Sequence, residues 1–234
     1  MLAGLSGPSN SVVLVHGAWG GSWSWERVVP LLEAHGRRAI AVDLPSIDAD
    51  PADPPGLYDD AAAVRAAIDE AGEPVVLCGH SYGGMVITAA AAGRSDVEHL
   101  VYLCAFQPDA GESLFSLTGN APAPWIRVLE DGRTIPDREH SLATGYADCD
   151  EQTRVACIDR LRPQVGRPFT EPVEHAAWRD IPSTYVICSE DASLPPTLQR
   201  TVFAPRAASS VELAASHSPM QSQPAAVAAI LESA

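Results

Sequence analysis

The sequence predicts a doubly wound, mostly parallel α/β sheet interrupted by one insertion. Three observations carry this. Apolar runs of strand length alternate with runs of helical period through the first 106 residues. The runs at 12–15 and 75–78 are apolar throughout rather than alternating, as strands covered on both faces are. The stretches between runs are long enough to hold a helix, so successive strands are expected to lie parallel with right-handed crossovers.

Taken in order, residues 1–10 read as a loose Gly/Ser/Pro-rich tail without the basic and apolar regions of a signal peptide. The first strand, 11–15, runs into a Gly-rich loop holding Trp19, Trp23 and Trp25. Ser24 is the expected N-cap of a helix over 25–34, which Gly36 ends. A strand follows at 38–42, then a proline-rich loop, a helix at 57–71 and a strand from Pro74 toward Ser81. A helix over 85–93 and a strand over 97–106 complete this half. Residues 107–180 hold seven scattered prolines, short helical pieces and no comparable strand, so they form the insertion. The strand pattern resumes at 184–188, followed by a helix at 196–203, a last strand at 209–213 and a closing helix at 223–231. The core is thus 1–106 with 181–234.

With 234 residues, 46% of them apolar, the chain has enough material for a sizeable core. The net charge of −15 argues against nucleic acid and anionic membranes as partners. No apolar run is long enough to span a bilayer. Cys78, Cys104 and Cys188 sit in strand-like runs and read as buried thiols, while Cys149 and Cys157 lack companions at metal-ligand spacing. A reduced, cytoplasmic protein is expected. There is no P-loop, dinucleotide fingerprint or metal set, so neither cofactor nor metal is expected; a homodimer is left open.

The chemistry centres on Gly79-His80-Ser81-Tyr82-Gly83-Gly84, set between an apolar strand and a helix. Gly-x-Ser-x-Gly in that context is a nucleophile elbow. The serine sits at the tip of a strained turn, where side chains two residues away would collide. A serine hydroxyl needs a base within hydrogen-bond reach and a third group to orient that base. On such a sheet these follow in chain order, acid then histidine. His217 follows the last strand and is the expected base. Asp191, 217 − 191 = 26 residues earlier, is preferred as the acid over its neighbour Glu190. Asp109 is a weaker alternative, and Asp43 reads as a loop anchor. Charge developing on a substrate oxyanion calls for preset donors: the backbone N–H groups of Tyr82 and Ala18, with Gly17 allowing close approach. Of the remaining histidines, His16 and His80 read as pocket-lining, and His35, His99, His140 and His175 as solvated.

These residues carry a family resemblance. Val15-His16-Gly17-Ala18-Trp19 with Trp23-x-Trp25, Asp43-Leu44-Pro45, the elbow, and His217-x-x-Met220-x-x-x-Pro224 resemble the α/β-hydrolases. Within them the chain is similar to small esterases related to plant methylesterases and hydroxynitrile lyases. The resemblance implies the α/β-hydrolase fold and makes 107–180 a small, mainly helical cap. The lyases of this group carry a lysine after the catalytic histidine, a threonine in the oxyanion loop and often a glutamate before the nucleophile. Ser218, Gly17 and His80 stand there instead, which favours hydrolysis over cyanohydrin cleavage.

The expectation is therefore a serine hydrolase of the carboxylesterase type, with catalytic Ser81, His217 and Asp191. Its partner is a small, uncharged, aromatic or apolar ester. His16, Gly17, Trp19, His80, Trp125 and Ser218 are the pocket candidates. Phe106, Leu114, Phe115, Leu117 and Trp178 are further apolar candidates, each reading first as core of the insertion. The alternatives are a lyase or cyclase using the same triad, and a non-catalytic small-molecule receptor on the same scaffold.

Overall fold

The computed structural model describes residues 11–120 and 122–234, so the expectations for residues 1–10 lie outside it. Strands β1 (Ser11–Val15), β2 (Arg38–Val42), β3 (Val75–His80) and β4 (Val97–Leu103) come from the first half of the chain. The insertion holds β5 (Ile126–Val128) and β6 (Thr134–Pro136), and β7 (Ser183–Cys188) and β8 (Ser209–Leu213) follow it. Six of these form one wholly parallel sheet in the spatial order β2-β1-β3-β4-β7-β8.

Side chains alternate across this sheet with period two. Val13, Val15 and Leu77 pack with Leu57, Val64 and Ile68 of α2 (Leu57–Ala71) and with Met85 and Ile87 of α3 (Gly83–Ala91). Val12, Leu14, Val76 and Cys78 face the other way, against Trp25, against Leu32 of α1 (Val29–Ala34) and against a C-terminal helix containing Val227 and Leu231. Covering both faces makes every residue of β1 and β3 buried. Each such Val or Leu contributes roughly 1.5–3 kcal/mol over leaving it in water, so these two adjacent strands form the firm centre. β8, at the edge, is mostly exposed.

The remaining helices are short: α4 (Leu114–Leu117), α5 (Arg138–Thr144), α6 (Glu151–Ile158) and α7 (Arg167–Thr170) in the insertion, then α8 (Pro196–Leu198), α9 (Pro219–Ser222) and α10 (Pro224–Glu232). No helix among the described residues is long and apolar enough to cross a membrane.

Four local expectations are corrected. The helix expected over 25–34 divides into a 3-10 turn, Ser22–Trp25, and α1. Pro30 is the cause: it lacks an N–H and belongs in a helix's first turn, so the helix starts at Val29. Ser24 is consequently buried and not an N-cap. The strand expected to reach 106 stops at Leu103, because Cys104 turns to φ +36°. The insertion contains a hairpin, β5–β6, whose strands are only three residues each. The helix over 196–203 opens after Leu198 into a π-helical turn, Gln199–Phe203.

Candidate active site

β3 delivers Ser81 at φ +52°, a left-handed conformation costly for a residue with a side chain. The turn is held from several sides. Ser81 N–H donates to Leu103 O at 3.3 Å, and Phe106 N–H donates to Ser81 O at 3.1 Å. The residues past β4 therefore brace the elbow instead of extending the strand. A Cβ at Gly79 would lie 2.5 Å from Gly83 O, one at Gly83 would lie 2.7 Å from both His16 O and Val15 O, and one at Gly84 would overlap Phe106 O. Backbone meets backbone at each site, so nothing can swing aside.

The loops after β7 and β8 bring the expected acid and base, Asp191 and His217, to Ser81. Ser189 N–H donates to Leu213 O at 2.9 Å and Glu190 N–H to Ala215 O at 3.1 Å, zipping the two loops together. His217 Nδ1 donates to Asp191 Oδ2 at 2.7 Å, and its Nε2 lies 3.0 Å from Ser81 Oγ. The Asp191 side chain is wholly buried, whereas the neighbouring Glu190 is exposed. Asp191 Oδ1 accepts the N–H groups of Ser193 and Leu194 at 2.8 Å, and Oδ2 accepts Gln199 Nε2 at 2.9 Å. Every acceptor direction of this carboxylate is used, which fixes its orientation. Asp109 is spent on Arg179, and Asp43 anchors the tryptophan loop by accepting both the N–H and the hydroxyl of Ser22.

The carbonyl of His217 is also held, accepting His80 Nε2–H at 2.7 Å and the Cys104 thiol at 3.4 Å. His80, Cys104 and His217 are a group with metal-ligand chemistry, their ligand atoms within 4.8 Å of one another. The His80 and Cys104 donors in it are turned to that carbonyl. Burial, with His217 beside it, pushes the His80 pKa well below its ordinary value, so His80 stays neutral. A Cβ at Gly17 would lie 2.8 Å from His80 Nδ1 and 3.0 Å from Ser81 Cβ. A threonine at position 17 therefore has no room while His80 stands before the nucleophile. Among the described residues, neither Ala18 N–H nor Tyr82 N–H has a protein acceptor.

Above these groups lies a cavity of about 350 Å³. Gly17, Ala18, Trp19, His80, Ser81, Tyr82, Trp125, His217 and Ser218 all border it. Phe106, Leu114, Phe115 and Leu117 do as well, joined by Phe169. Trp19, Tyr82 and Phe115 pack around Phe169 with ring centroids 5.3–6.4 Å apart. None of the described side chains lining the cavity is Asp, Glu, Lys or Arg.

Three residues fall elsewhere than expected. His16 does not border the cavity: its Nδ1 donates to Gly17 O at 2.7 Å and its Nε2 accepts Leu44 N–H at 3.2 Å, tying the loops after β1 and β2 together. Trp178 is also outside it, donating Nε1–H to Pro108 O. His140, expected to be solvated, lines the cavity with its ring stacked on Trp125 at 4.8 Å and 8°.

Some polar groups had no signal in the sequence. Asp60 looks like a solvated acid in the first turn of α2, yet it is fully buried. It accepts Ser46 N–H, the Ser46 hydroxyl and the Tyr82 hydroxyl at 2.6–2.9 Å. Gln164 of the insertion donates to Ser46 Oγ and accepts Trp19 N–H, so one buried network joins the elbow to the tryptophan loop. Burial pushes the Asp60 carboxyl up to about 6, although its hydrogen bonds pull the other way. The folded-state pKa is therefore raised above the unfolded one. The unfolded state loses its proton first as pH rises, and stability contributed by this group falls between about pH 4 and pH 6. Relative to Asp60→Asn, the wild type is expected to lose about 2 kcal/mol of unfolding free energy between pH 4.5 and pH 7. Urea unfolding of both proteins at pH 4.5 and pH 7 measures it; a constant difference contradicts the assignment.

Comparison with known proteins agrees with this fold. A family model described as "Alpha/beta hydrolase family" matches residues 12–230. The chain is similar to the alpha/beta hydrolase nvfD of Aspergillus novofumigatus, 32% identical over 203 residues, covering 81% of each chain. It is similar to salicylic acid-binding protein 2 of Nicotiana tabacum, 28% identical, covering 80% of this chain and 82% of that one. Among solved structures, a pyrethroid hydrolase from Sphingobium faniae JZ-2 superposes with a TM-score of 0.80 at 26% identity, covering 96% of both chains.

Proposed function

The chain belongs to the alpha/beta hydrolase family, and from that footing we propose that it is a serine carboxylic-ester hydrolase working through an acyl-enzyme on a small, uncharged, apolar or aromatic ester. Ser81 Oγ attacks the ester carbonyl while His217 Nε2 takes its proton. Asp191 holds the imidazole in the tautomer that leaves Nε2 free to accept, and stabilises the imidazolium once formed. The oxyanion receives the Tyr82 and Ala18 N–H groups. His217 then protonates the departing alcohol and, in the second half, takes a proton from the water that cleaves the acyl-enzyme. Residues 107–180 serve as the cap that closes the cavity.

The observation that carries this reading is the continuous chain Asp191–His217–Ser81, at 2.7 and 3.0 Å, opening onto an uncharged cavity. The lining supports the substrate class, since a charged substrate would lose its hydration there without gaining a partner. It also weighs against a receptor for carboxylic acids, which would need a cation in the cavity. Ser218, which stands where the related lyases carry lysine, offers no charge to a cyanide leaving group.

The test is covalent labelling with a fluorophosphonate probe. Wild type is expected to take one label with loss of fluoride, and Ser81→Ala none. Labelling that persists in Ser81→Ala, or a wild type that neither labels nor releases alcohol from any short aryl ester, overturns the proposal.

A further inference from the structure

His217 is held at its carbonyl from the core, by His80 and Cys104. Its amide side is held from the insertion. Ser216, immediately before it, is 1% exposed and donates twice to a single carboxylate 68 residues earlier. The Ser216 N–H reaches Asp148 Oδ2 at 3.1 Å and its hydroxyl reaches Asp148 Oδ1. On the other side of the base, Ser218 borders the cavity together with Tyr146. Thr144 meets the acid loop too, accepting the Ser193 hydroxyl at 3.3 Å. Segment 144–148 thus touches both loops that carry the triad.

The segment is itself anchored. It follows α5, whose N-cap is Asp137, and precedes α6, whose N-cap Asp150 accepts Thr153 N–H at 2.8 Å. Arg27 donates to Thr153 Oγ1 at 2.8 Å and to Gln221 O at 3.0 Å, binding the start of α6 to the chain just after the base. Since β8 is an exposed edge strand, the sheet alone gives the base loop little support.

We infer that Asp148 is a positioning residue for His217: the insertion grips Ser216 through this carboxylate and so sets where the imidazole stands relative to Ser81. The inference rests on the reading of His217 as general base. The insertion then does two things, closing the cavity and holding the base. Neither Asp148 nor Ser216 borders the cavity, so substitution at Asp148 loosens His217 without removing a group from the cavity wall.

The grip predicts a kcat effect. A base displaced by a fraction of an ångström to an ångström loses about 10- to 100-fold in rate. Asp148→Ala is expected to lower kcat on an activated aryl ester, and the fluorophosphonate labelling rate, by that factor, with KM within about threefold. Asp148→Asn can still accept the Ser216 N–H and donate to Ser216 Oγ. It is expected to recover to within about threefold of wild type, with the acid limb of its pH profile unmoved. Ser216→Ala keeps one of the two bonds and should fall between wild type and Asp148→Ala, which covers the case of Asp148→Ala failing to fold. Wild-type kcat in Asp148→Ala, or a loss confined to KM, overturns the inference. So does an Asp148→Asn variant as impaired as Asp148→Ala with a shifted acid limb, because charge rather than grip would then be acting. Failure of the hydrolase reading looks different: the wild type itself would neither label nor turn over.

Discussion

Replacing Ser81 with alanine is expected to lower kcat/KM for ester hydrolysis by about a million-fold, with no covalent intermediate remaining. The size follows from how the groups work together. Without Oγ there is nothing for His217 to deprotonate at 3.0 Å, so Asp191 and His217 lose their effect at the same time as the nucleophile. What survives is substrate binding and the paired N–H groups of Ala18 and Tyr82, together on the order of a thousand-fold over water. The fold should be unaffected. Alanine keeps the Cβ and the same left-handed backbone at φ +52°, so it inherits the strain and adds no collision. Measurement of kcat/KM beside a thermal melt separates the two effects. Retention of more than about one per cent of the activity in a correctly folded variant would remove Ser81 from the mechanism.

The second large effect is expected from Asp191→Asn, about 10⁴-fold in kcat with KM little changed. The carboxylate accepts from four donors: His217 Nδ1, Gln199 Nε2 and the N–H groups of Ser193 and Leu194. An asparagine has only one oxygen to offer. If its NH2 faces His217, two donors meet, and the imidazole relieves the conflict by moving its proton to Nε2. That nitrogen then points an N–H at Ser81 Oγ and can no longer accept. If the NH2 faces Ser193 and Leu194 instead, two backbone N–H groups are left buried against a donor, which costs about 1–3 kcal/mol each. Either way, the wild-type arrangement is lost without removing any atom from the cavity wall. Equal kcat in Asp191→Asn and wild type would transfer the orienting role to another acid.

Much of the core was legible because its signals are local. The runs around Val12–Val15 and Val75–Cys78 are apolar on both faces, which only a covered parallel sheet explains. The elbow was legible because close backbone approach leaves glycine little alternative at 79, 83 and 84. That Asp191 and His217 would meet Ser81 followed from chain order. The insertion was opaque for the opposite reason. Helices of four to eight residues and three-residue strands carry too few turns or alternations to show a period. His16 was misplaced because nearness along the chain to a cavity loop says nothing about which way a ring turns; it turns toward Leu44. Asp60, His140 and Asp148 were missed or misread because each is ordinary in its own segment. Their significance comes from partners far away in sequence: Ser46 and Tyr82, Trp125, and Ser216.

The separation of nucleophile and base along the chain has a consequence for how such an enzyme comes into being. On the proposed mechanism, Ser81 is made 136 residues before the histidine that would activate it, and the proposed acid, Asp191, lies between them, on the far side of the insertion. Synthesis runs from the N-terminus and early segments begin to fold first. For most of its time on the ribosome the chain therefore carries a bare, unactivated alcohol on a half-built sheet. On the proposed mechanism, reactivity would arrive only when β8, an edge strand, is laid down and its trailing loop, with Ser216 bonded to Asp148, brings His217 to Ser81. On the proposed reading, β8, made after the other five strands of its sheet, thus arms the group that was in place first.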